Sequence, residues 1–248
     1  MKKIKVGMVQ MAPTKSWESG MIKALAYFDK AAAKGADIMV FPEYFLGWER
    51  DIFERAVSVF RQKAAETGTN IILGSILERA GNKFYNSCVL IDRRGKVVGK
   101  HRKVHLYSPW EKFDCGKTFK IWKMNGLRIG IAICLDIYFS SDIKKMAASG
   151  ADVLIIPTMT DKKEFEVHSC VARTRAVENL VPVIMVNAVG RTFIGRWQRW
   201  AGNSMIINPY GEIEGKMGDD EDYKIFELDT GKMRDARKKI SCIKGFIR

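Results

Sequence analysis

Three side chains with catalytic potential each follow an apolar segment of the chain. Glu43 comes after a short apolar run and a proline, Lys103 ends a basic segment, and Cys134 ends a strongly apolar one. A partly buried carboxylate has a raised pKa and can act as a general base near neutral pH. A cysteine on a turn after a strand can act as a nucleophile, with a backbone N–H nearby to hold an oxyanion. Together, these residue types indicate nucleophilic chemistry at a carbonyl carbon.

Each residue taken alone also has a simpler interpretation. Glu43 could form an ordinary ion pair, and Cys134 could be a small core residue. The basic cluster around Lys103 could be a solvated edge, which is what we expect for Lys100 and Arg102. Alternation along a strand places Lys103 on the opposite face from Arg102. His101 and His105 have the i, i+4 spacing of a zinc pair, but the segment does not look helical and lacks a partnering carboxylate motif. We therefore expect no metal and no cofactor.

The elements that must position these residues alternate between strand and helix. We predict helices over 18–34, 51–67, 142–149 and 164–180. We predict strands over 3–10, 37–41, 70–77, 86–92, 97–103, 127–133, 153–156, 181–186, 204–208 and 212–216. Adjacent hairpin strands in the middle argue against an eight-fold barrel, in which a helix separates every pair of strands. The pattern favours an α/β protein with two sheets face to face and helices outside.

The composition is that of a globular protein. The 248 residues are 47% hydrophobic and 28% charged, and they carry a net charge of +14. The basic residues are scattered, with no zinc-finger spacing and no aromatic RNA-binding signature, so we do not expect a nucleic-acid partner. Five cysteines without a C-x-x-C pair suit a reducing cytoplasm. The amino terminus does not read as a signal peptide, and we expect no membrane span.

The order of the three residues resembles that of the nitrilase superfamily of carbon–nitrogen hydrolases. The resemblance covers nearly the whole chain and rests on three blocks in order: Phe41-Pro42-Glu43, Lys103-Val104-His105-Leu106, and Gly130 to Asp136. Framework segments that also match are 150–152, 175–179, 186–187, 202–204 and 209–211. A single block would carry little weight, but three blocks in this order are very unlikely to match the family by chance.

The resemblance implies a four-layer α-β-β-α sandwich that pairs into a homodimer or a higher homo-oligomer. It implies one carbon–nitrogen hydrolase domain over residues 1–248, with a basic tail from about residue 231. It also implies a second glutamate after the lysine block, and Glu111 occupies that place. In the implied mechanism, the N–H of Leu135 helps to bind the oxyanion. Tyr44 and Tyr138 are predicted to contact the substrate.

The resemblance predicts an amidase that acts on a small aliphatic or aromatic amide through a thioester on Cys134. A nitrilase acting on a small nitrile shares the same residues, and so does an acyltransferase in which an amine resolves the thioester. The loop after Cys134 lacks the arginine found in many family amidases. Arg173, Arg191 or Arg196 could bind a substrate carboxylate instead. The basic and aromatic segment 190–200 is interpreted as a pocket rim.

Overall fold

The computed structural model describes residues 3–107, 110–194, 196–231 and 235–236. Cys242 and nearly all of the predicted basic tail lie outside these residues. The helices are α1 (Trp17–Ala33), α2 (Phe53–Thr67), α3 (Ser140–Ala148) and α4 (Phe165–Asn179). The strands are β1 (Lys3–Gln10), β2 (Ile38–Val40), β3 (Asn70–Ala80), β4 (Lys83–Ile91), β5 (Val97–Arg102), β6 (Ile121–Met124), β7 (Leu127–Ile131), β8 (Val153–Thr158), β9 (Val183–Asn187), β10 (Val189–Ile194), β11 (Arg196–Ala201), β12 (Met205–Ile207), β13 (Ile213–Lys216) and β14 (Asp222–Asp229).

The strands form two six-stranded sheets and one separate hairpin. The first sheet has the order β14-β1-β2-β3-β4-β5, and the second has the order β13-β12-β9-β8-β7-β6. The central pairs, β1 with β2, β2 with β3, β7 with β8 and β8 with β9, are parallel, and the outer pairs are antiparallel. Strands β10 and β11 form the hairpin. This topology agrees with the predicted pair of sheets and not with an eight-fold barrel.

Three apolar cores stack through the molecule and produce its layers. The middle core joins the two sheets, with Val6 and Ile72 from one and Ile131 and Ile155 from the other. A second core lies between the first sheet and helices α1 and α2. A third lies between the second sheet and helices α3 and α4. This arrangement confirms the predicted four-layer α-β-β-α sandwich.

Four strands, β6, β10, β11 and β14, were not predicted from the sequence. Strand β14 pairs with β1 over eight positions, from Lys3 with Asp229 to Gln10 with Asp222. Its burial pattern is mixed because it lies at a sheet edge, so the sequence lacks the apolar run of a central strand. Among the described residues, no helix combines the length and apolarity needed to cross a membrane.

Strand β8 also extends further than predicted. The expectation was that Pro157 would stop it, but the strand continues to Thr158, and Pro157 pairs with Val186 of β9. The pairing of β7 with β8 ends at Ile155, so Pro157 has a neighbour on one side only. A missing N–H is tolerated on the open side. The extension carries Thr158 to the end of the sheet where Cys134 lies.

Candidate active site

The turn that carries Glu43 is shaped by the close approach of β3 to the end of β2. The backbone N–H of Ser75 donates to the carbonyl of Pro42 at 3.3 Å, and the N–H of Tyr44 donates to the Ser75 hydroxyl at 3.2 Å. Gly74 permits this contact, because a methyl group there would collide with carbonyl oxygens at the end of β2. Tyr44 adopts a left-handed backbone with φ of 51°. Glu43 is thereby held inside the protein with 1% of its surface exposed.

Lys103 follows β5, and its backbone is fixed on both sides. Its N–H donates to the carbonyl of Asn86 at 2.8 Å, and its carbonyl accepts from the N–H of Gly116 at 2.7 Å. Arg102, on the opposite face of the strand, instead pairs with Glu78. The Lys103 side chain is buried, so its ammonium has to find anionic partners within the protein.

Cys134 lies on a strained turn that follows β7. It opens a single 3-10 turn, Cys134–Tyr138, and its backbone has a φ of 46°. Such left-handed geometry in a residue other than glycine is uncommon and is often found at functional sites. Cys134 is half-buried. The turn thus presents the sulfur at the end of the second sheet.

Two carboxylates share the Lys103 ammonium at the centre of the site. Nζ of Lys103 lies 2.8 Å from Oε1 of Glu43 and 2.8 Å from Oε2 of Glu111. Nδ2 of Asn86 donates to Oε1 of both glutamates, each at 2.9 Å. All four side chains are buried. Two glutamates and one ammonium leave one surplus negative charge. A thiolate at Cys134 would add a second negative charge unless a neighbouring group took up the proton.

Glu111 is held in this cluster by two further donors. The Tyr44 hydroxyl donates to its Oε1 at 2.7 Å, and the backbone N–H of Tyr107 donates to its Oε2 at 2.6 Å. The structure therefore puts Glu111 against Lys103, where the resemblance led us to look for a second glutamate. Asn86 was not singled out from the sequence, although a buried polar side chain within the apolar part of β4 is the signal that could have identified it.

The side chains of Glu43, Lys103 and Cys134 shift one another's pKa values. Burial raises the pKa of Glu43, although the charge of Lys103 opposes the shift. Burial disfavours the Lys103 ammonium, yet the negative charges of Glu43 and Glu111, and of Cys134 when it is ionised, outweigh this effect and raise the pKa of Lys103. Burial and the charge of Glu43 raise the pKa of Cys134 to about 12, against the opposing effect of Lys103. The resting thiol is therefore protonated and needs a base before it can attack.

Asp136 joins the cysteine turn to the segment after Lys103. Its Oδ1 accepts from the backbone N–H groups of Val104 at 3.1 Å and His105 at 2.8 Å. Its Oδ2 accepts from the backbone N–H of Ile133 at 3.0 Å and lies 3.0 Å from Nε2 of His101. One buried carboxylate thus links the two segments that carry the thiol and the ammonium.

The two histidines do not share a ligand site. His101 pairs with Asp136, whereas Nε2 of His105 lies 3.0 Å from Oδ2 of Asp142 and its ring stacks on Phe139. Within the residues that the structure describes, no group of three or more His, Cys, Asp or Glu side chains is arranged to hold a metal ion.

Leu135 and Tyr138 lie in the 3-10 turn that begins at Cys134, and both are half-buried. Burial, together with the negative charge of an ionised Cys134, raises the pKa of Tyr138 to about 12. Arg175 of α4 holds the end of this turn, because its guanidinium donates to the carbonyls of Ile137 at 2.8 Å and Tyr138 at 3.0 Å. The sequence had not identified Arg175 as a support for this turn.

Aromatic side chains pack beside the Glu111 end of the site. The ring centroid of Tyr44 lies 5.7 Å from that of Trp48 and 6.0 Å from that of Trp110. Trp200 joins the same apolar cluster, and its indole N–H donates to Thr192 at 2.7 Å. Trp200 lies in β11 of the hairpin, which links part of the 190–200 segment to the site by packing. We call this set (Tyr44, Trp48, Trp110 and Trp200) the aromatic wall.

The arginines considered as carboxylate ligands have other surroundings. The Arg173 guanidinium donates to the carbonyl of Gly211 at 2.8 Å, at the turn between β12 and β13. Arg191 lines a cavity with Lys162 and Arg199, and Lys162 there pairs with Asp219. The Arg196 side chain lies outside the described part of the structure.

Comparison with known proteins agrees with this fold. The sequence model of the family described as carbon–nitrogen hydrolase matches residues 5–238. The chain is 27% identical to omega-amidase NIT2 of Danio rerio over 98% of this chain and 95% of the relative. It is 31% identical to N-carbamoylputrescine amidase of Oryza sativa subsp. japonica, over 95% and 89%. The crystal structure of Saccharomyces cerevisiae Nit3, a member of branch 10 of the nitrilase superfamily, superposes with a TM-score of 0.87 at 24% identity, over 97% and 95%. The chain therefore belongs to the carbon–nitrogen hydrolase family.

Proposed function

We propose that this enzyme hydrolyses the carbon–nitrogen bond of a small amide through a thioester on Cys134. The observation that carries the proposal is the Lys103 ammonium, which lies 2.8 Å from both Glu43 and Glu111. Burial and the charge of Glu43 raise the pKa of the Cys134 thiol, and the positive charge of Lys103 opposes them and favours the thiolate. A base, a cation and a nucleophile are thus present in one buried centre. Glu43, Lys103 and Cys134 are assigned as the catalytic residues, and Glu111 holds Lys103.

The first step transfers the proton of the Cys134 thiol to Glu43. The surplus negative charge of the cluster makes a separate thiolate costly, whereas transfer to Glu43 keeps the total charge unchanged. The raised pKa of Glu43 makes its carboxylate a better proton acceptor than an exposed glutamate. Deprotonation and attack on the carbonyl carbon are therefore coupled.

Attack forms the carbon–sulfur bond and a tetrahedral oxyanion. Lys103 and the N–H of Leu135 are the proposed donors to that oxyanion, and each such donor typically accounts for about 10²–10³ in rate. Glu43 returns its proton to the nitrogen as the carbon–nitrogen bond breaks. Ammonia or an amine leaves, and the acyl group remains on Cys134 as a thioester.

Water then completes the cycle. Glu43, again a carboxylate, removes a proton from a water molecule that attacks the thioester carbonyl. The carbon–sulfur bond breaks, the carboxylic acid departs, and Glu43 returns the proton to the sulfur. Every proton taken up is released within one turnover, and the mechanism needs no cofactor.

The substrate we propose is an uncharged amide, aromatic or aliphatic, because the side chains of the aromatic wall beside the reactive centre are largely apolar. Tyr44 joins this wall to the reactive centre, since its ring packs on Trp48 and its hydroxyl holds Glu111. Tyr138 lies on the cysteine side and is a further candidate for contact with the substrate. The relatives carry the names of amidases for omega-amides and for N-carbamoylputrescine, so both compound classes belong in the substrate test.

The test is ammonia release from aliphatic, aromatic, omega-dicarboxylate and carbamoyl amides, with the matching nitriles alongside. We expect Cys134→Ala to lower kcat by about 10⁴-fold or more, because the nucleophile is lost. Cys115→Ala, which removes an exposed cysteine, is the matched control and should retain full activity. Mass spectrometry should detect an acyl adduct on Cys134 during turnover. Amide hydrolysis that survives Cys134→Ala would disprove the mechanism, and turnover of nitriles alone would replace the amidase with a nitrilase.

We also propose that the enzyme acts as a single-domain homodimer in the cytoplasm, with a basic tail from about residue 231. Helix α4 exposes Val167 (60%) and Val177 (46%) on its surface, and covering such apolar groups favours association. The four described cysteines are all free, as expected of a protein in a reducing compartment. Light scattering of the purified protein measures the oligomeric state.

A further inference from the structure

A basic cavity lies beside β5 and β6, the strands at one edge of the first and second sheets. Its volume is about 400 Å³, within the range of about 300–1,000 Å³ that is typical of small-ligand sites. The side chains that matter here are four cations and two aromatic rings: Lys100, Arg102, Lys117, Lys120, Tyr85 and Trp122. The mechanism proposed above uses none of them.

The cavity carries a surplus of positive charge. Among the described residues, four cations line it and no carboxylate does. The buried carboxylate of Glu78 lies behind the cavity and pairs with Lys100 and Arg102, which leaves a surplus of three positive charges. Within the described part of the chain, no ion pair joins Lys117 or Lys120 to a carboxylate. These two ammonium groups are therefore available to an anionic ligand.

Glu78 fixes the other two cations before any ligand arrives. Its Oε2 accepts from Nε of Arg102 at 2.9 Å and from the Ser87 hydroxyl at 2.6 Å. Its Oε1 accepts from Nη2 of Arg102 at 2.8 Å and from Nζ of Lys100. The Arg102 guanidinium also lies 3.9 Å from the centre of the Tyr85 ring. A site built from side chains that are already held loses less conformational entropy when a ligand binds.

Trp122 gives the cavity a fixed flat surface. A Cβ atom added at Gly99 would lie 2.3 Å from the indole, so the ring rests against the bare backbone of β5. The side chain also packs on the apolar core between the two sheets, and it stays half-buried in the cavity wall. An indole held in this way is suited to stacking on a flat heteroaromatic ring.

We propose that this cavity is a binding site for a small ligand of the nucleotide class, whose phosphate pairs with Lys117 and Lys120 and whose base stacks on Trp122. A phosphate monoester carries close to two negative charges near neutral pH, which the surplus of positive charge matches. Lysine ammonium groups bind phosphate as point charges and need no fixed fork geometry. A simple inorganic anion would leave the indole unused, and an uncharged aromatic compound would leave the cations unused.

The test is isothermal titration calorimetry of the full chain with adenosine 5′-monophosphate. Every base has a flat face, so the choice of adenine does not prejudge which base is preferred. Adenosine and inorganic phosphate are titrated alongside. We expect the mononucleotide to bind about tenfold more tightly than either fragment, because it alone uses both parts of the cavity.

Two double variants separate the site from the basic surface as a whole. Lys117→Ala with Lys120→Ala should weaken binding of both the mononucleotide and inorganic phosphate about tenfold. Lys30→Ala with Lys224→Ala removes the same charge from α1 and from β14, which is at the opposite edge of the first sheet. This control should bind the mononucleotide within about twofold of the wild type, because distant exposed charges are screened by salt. All four lysines are exposed, so their replacement leaves the cores intact.

Trp122→Leu isolates the stacking contact. It should weaken binding of the mononucleotide about tenfold and leave binding of inorganic phosphate unchanged. Equal effects on the two ligands would overturn the assignment of the base to Trp122. If this variant does not fold, the two double-lysine variants still decide whether the cavity is the site.

Three results would overturn the proposal as a whole. The first is absence of mononucleotide binding at a concentration of about 1 mM. The second is equal weakening by the two double-lysine variants, which would indicate attraction to the basic surface in general. The third is much tighter binding of a single-stranded oligonucleotide, which would replace the small ligand with a nucleic acid. Cys134→Ala should bind the mononucleotide as the wild type does, so the outcome is independent of amide hydrolysis.

Discussion

The carboxylate of Asp136 accepts a hydrogen bond from the backbone N–H of Ile133 at 3.0 Å, one residue before the thiol. The other oxygen of Asp136 holds the backbone just after Lys103. We predict that Asp136→Asn lowers kcat/KM about a hundredfold, because an amide NH₂ would face backbone donors and shift the two segments apart. A misplacement of about 1 Å is enough for such a loss.

Steady-state kinetics and the Cys134 alkylation rate measure this effect. Asp152→Asn is the control, since Asp152 pairs with Arg128 at the far end of β7 and should leave kcat/KM within about twofold. An Asp136→Asn enzyme with wild-type kcat/KM would show that the link between the two segments is dispensable.

Gly74 should not tolerate alanine. A methyl group there meets the carbonyl oxygens of Phe41 and Pro42, which are backbone atoms that cannot rotate away. We expect Gly74→Ala to destabilise the protein by about 3 kcal/mol and to lower activity further by moving Glu43. Urea unfolding followed by circular dichroism measures the free energy of unfolding. Gly218→Ala is the control, because a methyl group there meets open space; equal stability of the two variants would contradict the argument.

The fall of kcat/KM at low pH, the acid limb of the pH profile, should reflect protonation of Glu43. Burial raises the pKa of this carboxyl above its ordinary value of 4.5, while Lys103 and the Asn86 amide oppose the shift. The base form is therefore lost at a higher pH than for an exposed glutamate, and kcat/KM should fall below that pH. Asn86→Leu removes a hydrogen bond that favours the carboxylate, so the limb should move up by about one pH unit. A limb that moves to lower pH would exclude Glu43 as its source.

Glu78 should make a measurable contribution to acid stability. Burial opposes its ionisation, but hydrogen bonds from Arg102, Lys100 and Ser87 outweigh this effect and lower its pKa to about 2. A lowered carboxyl pKa stabilises the fold above the ordinary value of 4.5, and the contribution is lost as pH falls from there towards 2. Glu78→Gln should therefore lower the free energy of unfolding by about 2 kcal/mol at pH 7 and by much less at pH 3. An equal loss at both pH values would contradict this assignment.

The layered fold and the positions of the reactive groups could be anticipated because both depend on local sequence. Apolar runs mark the strands, and Glu43, Lys103 and Cys134 each stand near the end of one. Strand alternation also predicted that Lys103 would turn away from Arg102. The expectation of a freely solvated edge for Lys100 and Arg102 was too simple, since both side chains pair with the buried carboxylate of Glu78.

The groups that support the site could not be anticipated, since they depend on contacts between distant elements. Asn86 is an internal residue of β4 and reaches two glutamates that come from different loops. Arg175 of α4 reaches the carbonyls at the end of the turn that begins at Cys134. Strand β14 pairs with β1 across more than 200 positions of sequence, and no local pattern encodes that partner.

The proposed nucleophile and its proposed base belong to different layers of the sandwich. Glu43 and Lys103 follow strands of the first sheet, whereas Cys134 follows β7 of the second, and the apolar core around Ile72 and Ile131 joins them. The distance from Cys134 to Glu43 and Lys103 consequently depends on how the two sheets are placed relative to each other. Ile131→Ala would open a cavity in the core between the two sheets. On heating, this variant should lose activity at a lower temperature than it loses secondary structure.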